Sequence, residues 1–189
     1  SQMYREAEKY GIVRRALPPY EVLCTPWLPF SDVLRLKMVE EMVENYYNSH
    51  QFDETLNVLV PRFPSPFAFF ERLAEFYEER HAEQRKHSRV QRYELLLAFA
   101  QKSFPEEEQS FRQLLTIDYY LRERAKARPS FAPDQTAYKE SIAEILRQTG
   151  KQNHVEAVSA EDGQVKYLVF DYENRDPLTH AARVTEYKE

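Results

Sequence analysis

Asp118 is the first residue of this sequence to raise a question of chemistry. On a helix it falls about one turn from Leu114, Leu115 and Leu121, between Ile117 and Tyr119. An ionised carboxylate without a partner is costly there. Such a carboxyl either acts as a general acid or base with a raised pKa, or is a structural anchor held by an Arg, a Tyr hydroxyl or a helix N-terminus. Asp171, Asp176 and His180 cluster near a turn and carry the donor atoms of a metal site, yet aspartates beside Pro and Asn ordinarily make turn hydrogen bonds. Either group would serve a small enzyme. Cys24 is the single cysteine, with apolar neighbours and no adjacent His or Lys to lower its pKa. That count excludes an internal disulfide, a CxxC pair and an all-thiolate metal site. The five histidines form no HExxH motif, and three glycines in 189 residues exclude a Walker loop or a GxGxxG turn, which need backbone without Cβ.

Charge narrows the partners. With 26 basic and 31 acidic side chains the formal charge is −5, which argues against a nucleic-acid or anionic-membrane binder. The basic run Arg80, Arg85, Lys86, Arg89 and Arg92 is diluted by Glu78, Glu79 and Glu83 and reads as a solvated face. No apolar run approaches the ~20 residues of a membrane span, and no signal-peptide pattern opens the chain, so the expected location is a reducing cytoplasm. No cofactor or metal is expected on this chain.

The elements that would position these groups are mostly helices. Residues 1–30 stand apart as an extended apolar strap, with Pro18, Pro19, Pro26 and Pro29 among Leu17, Val22, Leu23, Trp27, Leu28 and Phe30. Ser31 is the expected N-cap of a helix reaching about Asn48, with Leu36, Val39, Val43 and Tyr46 on its stripe. A shorter helix from Phe52 to Val60 is closed by Pro61. Ser65 and Pro66 open a wide-faced helix running to about Arg80, carrying Phe67, Phe70, Ala74 and Tyr77. Tyr93, Leu97 and Ala100 mark the next. Pro105 opens another, and a last helix, capped by Asp134, runs to about Thr149 and is stopped by Gly150. The period then changes to 2: Val155–Val158 and Val165–Phe170 flank Asp162-Gly163, a two-residue hairpin signal, and Arg183–Tyr187 supplies a third strand. The expected fold is α+β and predominantly α, a multi-helix bundle (31–150) with a small C-terminal antiparallel hairpin or three-stranded sheet (151–189). Aromatic density beyond the needs of a core picks out Tyr46, Tyr47, Phe67, Phe70 and Tyr119, and with Trp27 of the strap, Asn48 and Asp118 they are the candidate interface or structural residues.

Several of these segments together resemble a known family. Pro18-Pro19-Tyr20-Glu21-Val22-Leu23, Tyr46-Tyr47-Asn48-Ser49, Gln51-Phe52, Ser65-Pro66-Phe67, Arg92-Tyr93-Glu94-Leu95-Leu96, Asp118-Tyr119 and Phe170-Asp171-Tyr172 occur in order. The chain resembles the C-terminal domain of unknown function of bacterial cobalamin-binding radical S-adenosylmethionine (SAM) proteins, iron–sulfur oxidoreductases likened to the magnesium-protoporphyrin IX monomethyl ester oxidative cyclase. His50 departs from the pattern, since Gly is expected after Asn-Ser. The resemblance implies a parent enzyme carrying an iron–sulfur cluster, SAM and cobalamin, on a barrel whose CxxxCxxC motif is missing here. None of the parent's catalytic or cofactor-binding residues therefore transfers to this chain. By that resemblance residues 1–30 are the end of the barrel, the barrel is the partner, and the isolated chain is inert and prone to self-associate. A stand-alone helical interaction module and a small enzyme remain the alternatives.

Overall fold

A computed structural model describes residues 6–82, 86–160 and 163–187. The chain divides into two compact units, Ser1–Asn48 with Phe63–Arg85, and Ser49–Arg62 with Lys86–Glu189. The fold is α+β and dominated by helices.

In the first unit the N-terminal segment is a small hairpin. Strands β1 (Val13–Arg14) and β2 (Val22–Cys24) pair antiparallel. Helix α1 (Phe30–Met42) begins one residue before the expected Ser31 cap, with Pro29 in the cap position and no side-chain cap bond. The α-helical hydrogen bonds give way at Val43–Tyr47 to one π turn, where the sequence pattern suggests unbroken helix. Leu36 is exposed, because the buried line runs through Val33, Val39, Met42 and Tyr46. Helix α1 packs against α3 (Pro66–Glu79). Ser65 Oγ accepts from the Ala68 N–H and Pro66 occupies the first turn, as the sequence dictates. Phe69, Phe70, Leu73, Phe76 and Tyr77 are buried along α3.

In the second unit α2 (Asp53–Leu59) packs on α5 (Glu108–Arg122), which also packs on α4 (Arg89–Ser103). Ser88 and Gln91 form a reciprocal capping box at the start of α4. Tyr93 is the aromatic hub. Its ring lies 4.4 Å from Phe52, 5.4 Å from Tyr119 and 5.3 Å from Phe131, stacked on the last, and its hydroxyl donates to the Gln51 carbonyl at 2.8 Å. Helix α6 (Lys139–Thr149) starts from a 3₁₀ turn at Thr136–Tyr138 and stops at Gly150, whose φ is +112°. Asp134 accepts from the backbone N–H and the hydroxyl of Thr136, within that opening turn.

The sheet has order β3–β4–β5, with β3 (His154–Ser159), β4 (Val165–Asp171) and β5 (Arg183–Tyr187) all antiparallel. The register opposes Val155 to Val169 and Val169 to Thr185. Those valines pack with Ile145 of α6. Asp162 of the hairpin signal lies outside the described residues. The flanking bonds, Ala160 N–H to the Gln164 carbonyl and Gly163 N–H to the Ala160 carbonyl, close three residues instead of two. Gly163, at φ +79°, ends that connection. No described helix is long and apolar enough to cross a membrane.

Candidate functional site

Asp118 caps a helix that begins 65 positions earlier, at Asp53. Phe52, at the N-cap of α2, offers no capping oxygen. Asp118 supplies it: Oδ1 accepts from the Glu54 N–H at 2.9 Å, and Oδ2 from the Thr55 N–H at 2.9 Å and the Thr55 hydroxyl at 2.7 Å. These N–H groups are the ones a local Ser or Asp cap would satisfy. Asp118 is 2 % exposed. Burial pushes its carboxyl up to about 7, against the pull of the Thr55 and Glu54 hydrogen bonds. Both oxygens are engaged, and the arrangement ties α5 to α2.

The turn carboxylates are engaged as well. Asp171 accepts from the Glu173 N–H at 2.8 Å and the Asn174 amide at 2.7 Å, while Asp176 accepts from the N–H groups of Leu178 and Thr179 and from the Thr179 hydroxyl. These hydrogen bonds hold both carboxyls below the usual range. Among the described residues no group of three or more His, Cys, Asp or Glu is placed to hold a metal ion.

Sequence reasoning missed a second buried carboxylate. Glu156 on β3 is 1 % exposed. Arg128 grips it at both ends, Nη1 to Oε1 at 2.6 Å and Nη2 to Oε2 at 2.9 Å, and His154 Nε2 lies 2.5 Å from Oε1. Tyr120 stacks on the His154 ring at 3.6 Å. Burial pushes the Glu156 carboxyl up, but the bonds from His154 and Arg128 outweigh it and keep it below its ordinary value. Arg128 also donates to the Pro133 carbonyl, so the network closes on itself. Its signal in the sequence is faint: a Glu at an inward strand position, with its partner 28 residues away.

The aromatic candidates separate. Tyr46, Phe70 and Tyr119 are core residues, and the Tyr46 hydroxyl meets the Tyr77 hydroxyl at 2.5 Å. Asn48 donates to Glu44 at the surface. Trp27, Tyr47 and Phe67 are exposed.

Trp27 is one of several exposed apolar side chains on the first unit. Thr25 and Leu28 pair across Pro26-Trp27, and Thr25 Oγ1 accepts from the Trp27 and Leu28 N–H groups, so this tight turn thrusts the indole outward, 78 % exposed. Leu17 is 74 % exposed, and Tyr20, Val22, Phe30 and Leu34 are exposed too. Of Leu17, Val22, Leu23, Trp27, Leu28 and Phe30, Leu23 and Leu28 are half-buried and the other four exposed. Lys37 to Glu21 at 2.5 Å fastens the segment to α1. Beside it, a 340 Å³ groove between α1 and α3 is lined by Leu34, Met38, Val39, Ala74 and a row of acids, Glu71, Glu75 and Glu78.

A helix-dominated α+β domain with an uncovered apolar surface is the class of protein these observations define. The chain belongs to the family described as protein of unknown function (DUF4080), whose model matches residues 8–174. No curated protein and no solved structure matches it.

Proposed function

We propose that the chain is the C-terminal accessory domain of a cobalamin-dependent radical SAM iron–sulfur oxidoreductase, packed on the barrel to shape or shield its active site. The observation that carries this reading is the uncovered surface of Leu17, Tyr20, Val22, Trp27 and Phe30. Each such side chain gains roughly 1.5–3 kcal/mol on burial, so a group of them in water calls for a covering partner. The resemblance supports the barrel in that role, because residues 1–30 are where the chain would leave it. The domain then contributes exclusion of water and shape, and the barrel carries the iron–sulfur cluster, SAM and cobalamin. Alone, the domain is catalytically inert.

A stand-alone interaction module would use the same surface with a different partner. The small-enzyme reading needs a carboxyl free to exchange a proton with substrate, and Asp118, Asp171 and Asp176 all have theirs engaged. The test is to supply the radical SAM barrel as a separate polypeptide and follow amide hydrogen exchange. Protection confined to residues 17–38 is expected. Protection elsewhere, or none, would remove the barrel as the partner.

A further inference from the structure

The two outer edges of the β3–β4–β5 sheet are treated differently. Along β3 two glutamine side chains imitate a neighbouring strand. Gln135 Oε1 accepts from the Ala157 N–H at 2.9 Å, and its Nε2 donates to the Ala157 carbonyl at 2.9 Å. Gln113 does the same at Ser159, at 2.8 and 3.0 Å. Both orders of bonding are met, so β3 cannot template another strand. Along β5 no backbone group finds a partner beyond β4 among the described residues.

A groove of 480 Å³ adjoins that open edge, walled by Glu140, Glu144 and Arg147 of α6, floored by Ile145 and closed by Tyr187. Tyr187 is anchored by its hydroxyl, which donates to Gln148 Oε1 at 2.6 Å. Glu144 is paired with Arg147, while Glu140 has no ion-pair partner among the described residues. Arg183, Thr185 and Tyr187 alternate onto one face of β5, the face on which Val169 and Tyr187 meet α6. Arg183 and Thr185 are exposed, and Arg183 stands opposite Asp171 of β4, whose carboxyl its charge helps to hold down.

We infer that the β5 edge is an interface between two copies of this chain, joined antiparallel about a two-fold axis at Thr185. The sequence of the strand is self-complementary in that register. Thr185 faces the other Thr185, and Arg183 of each copy falls beside Tyr187 of the other, on the α6 face. Its guanidinium then enters the groove, over the Tyr187 ring and toward Glu140, and symmetry repeats the contact. Moving the axis to Val184 or Glu186 would take Arg183 out of register with Tyr187 of the other copy. The result is a continuous six-stranded sheet, formed by strand addition and fixed in register by charge. This interface is separate from the apolar surface of the first unit, and either can fail without the other.

The full chain carrying Cys24→Ser tests it by sedimentation across a wide range of concentration. A reversible dimer is expected. Arg183→Glu sets a carboxylate against Glu140 and weakens the dimer about tenfold or more, and Glu140→Arg in the same chain restores it. Thr185→Cys should give a covalent dimer under mild oxidation or with a short thiol cross-linker, because opposed Cβ atoms in such a pair lie about 4.5–5.5 Å apart. A chain that stays monomeric throughout overturns the inference. So does a dimer indifferent to Arg183→Glu whose Thr185→Cys form does not cross-link, which would assign dimerisation to another surface.

Discussion

Asp118 Oδ2 receives both the backbone N–H and the hydroxyl of Thr55, so a carboxylate on α5 caps a helix whose own N-cap residue is Phe52. The pairing makes the stability of two helices depend on one proton. The folded carboxyl titrates at about 7, above the ordinary 3.8. A carboxyl that holds its proton more tightly folded than unfolded stabilises most at low pH. That contribution is lost as pH rises through the folded value. The stability of the wild-type chain relative to Asp118→Asn should therefore fall between about pH 4 and pH 7, by about 2–4 kcal/mol, and level off above. Urea denaturation of both proteins across that range measures it, and a difference that rises with pH would contradict the assignment.

Arg128 and Glu156 give the second expectation. Removing the cation leaves a carboxylate that is almost wholly buried, so Arg128→Ala should cost about 3–5 kcal/mol. Replacing both, Arg128→Met with Glu156→Leu, should cost less than Arg128→Ala alone, since no unpaired charge remains. Thermal melts of the single and double variants decide this.

Gln135 gives the third. Gln135→Ala deletes two hydrogen bonds to Ala157 and should cost about 1–2 kcal/mol. It should also promote aggregation, because β3 then presents an open edge. Light scattering of the variant with and without Gln113→Ala reads the second effect.

His50 provides a prediction of the opposite sign. Its φ is +53°, the left-handed conformation, at the position where the family resemblance leads one to expect Gly. Its ion pair with Asp53 is exposed and weak. His50→Gly should stabilise the chain by up to about 1 kcal/mol. A drop in stability in denaturant titrations would show that the ring's contacts outweigh the strain.

Local signals were readable from sequence, and distant ones were not. Ser65-Pro66 fixes the start of α3, Gly150 the end of α6, and the alternation of Val155–Val158 and Val165–Phe170 the pairing of β3 with β4, because each acts within one turn or one strand pair, while the register itself is one residue away from that of a two-residue turn. Pro29 overrides Ser31 at the start of α1, since proline already holds the extended backbone that the cap position requires. The π turn at Val43–Tyr47 leaves no mark in composition. Asp118 was legible as a carboxylate needing partners, but its partners on α2 were not. Arg128–Glu156 and Gln135–Ala157 join residues 28 and 22 positions apart, and only the folded chain shows that they meet.

Trp27 is the single tryptophan of the sequence and stands on the surface assigned to docking. Its fluorescence therefore reports the central claim without a label. In the isolated domain the emission should be that of a water-exposed indole. Adding the radical SAM barrel as a separate polypeptide should shift it to shorter wavelength in a saturable titration, and Leu17→Ser with Phe30→Ser should weaken that titration at least tenfold. An emission spectrum unchanged at saturating barrel would contradict the account.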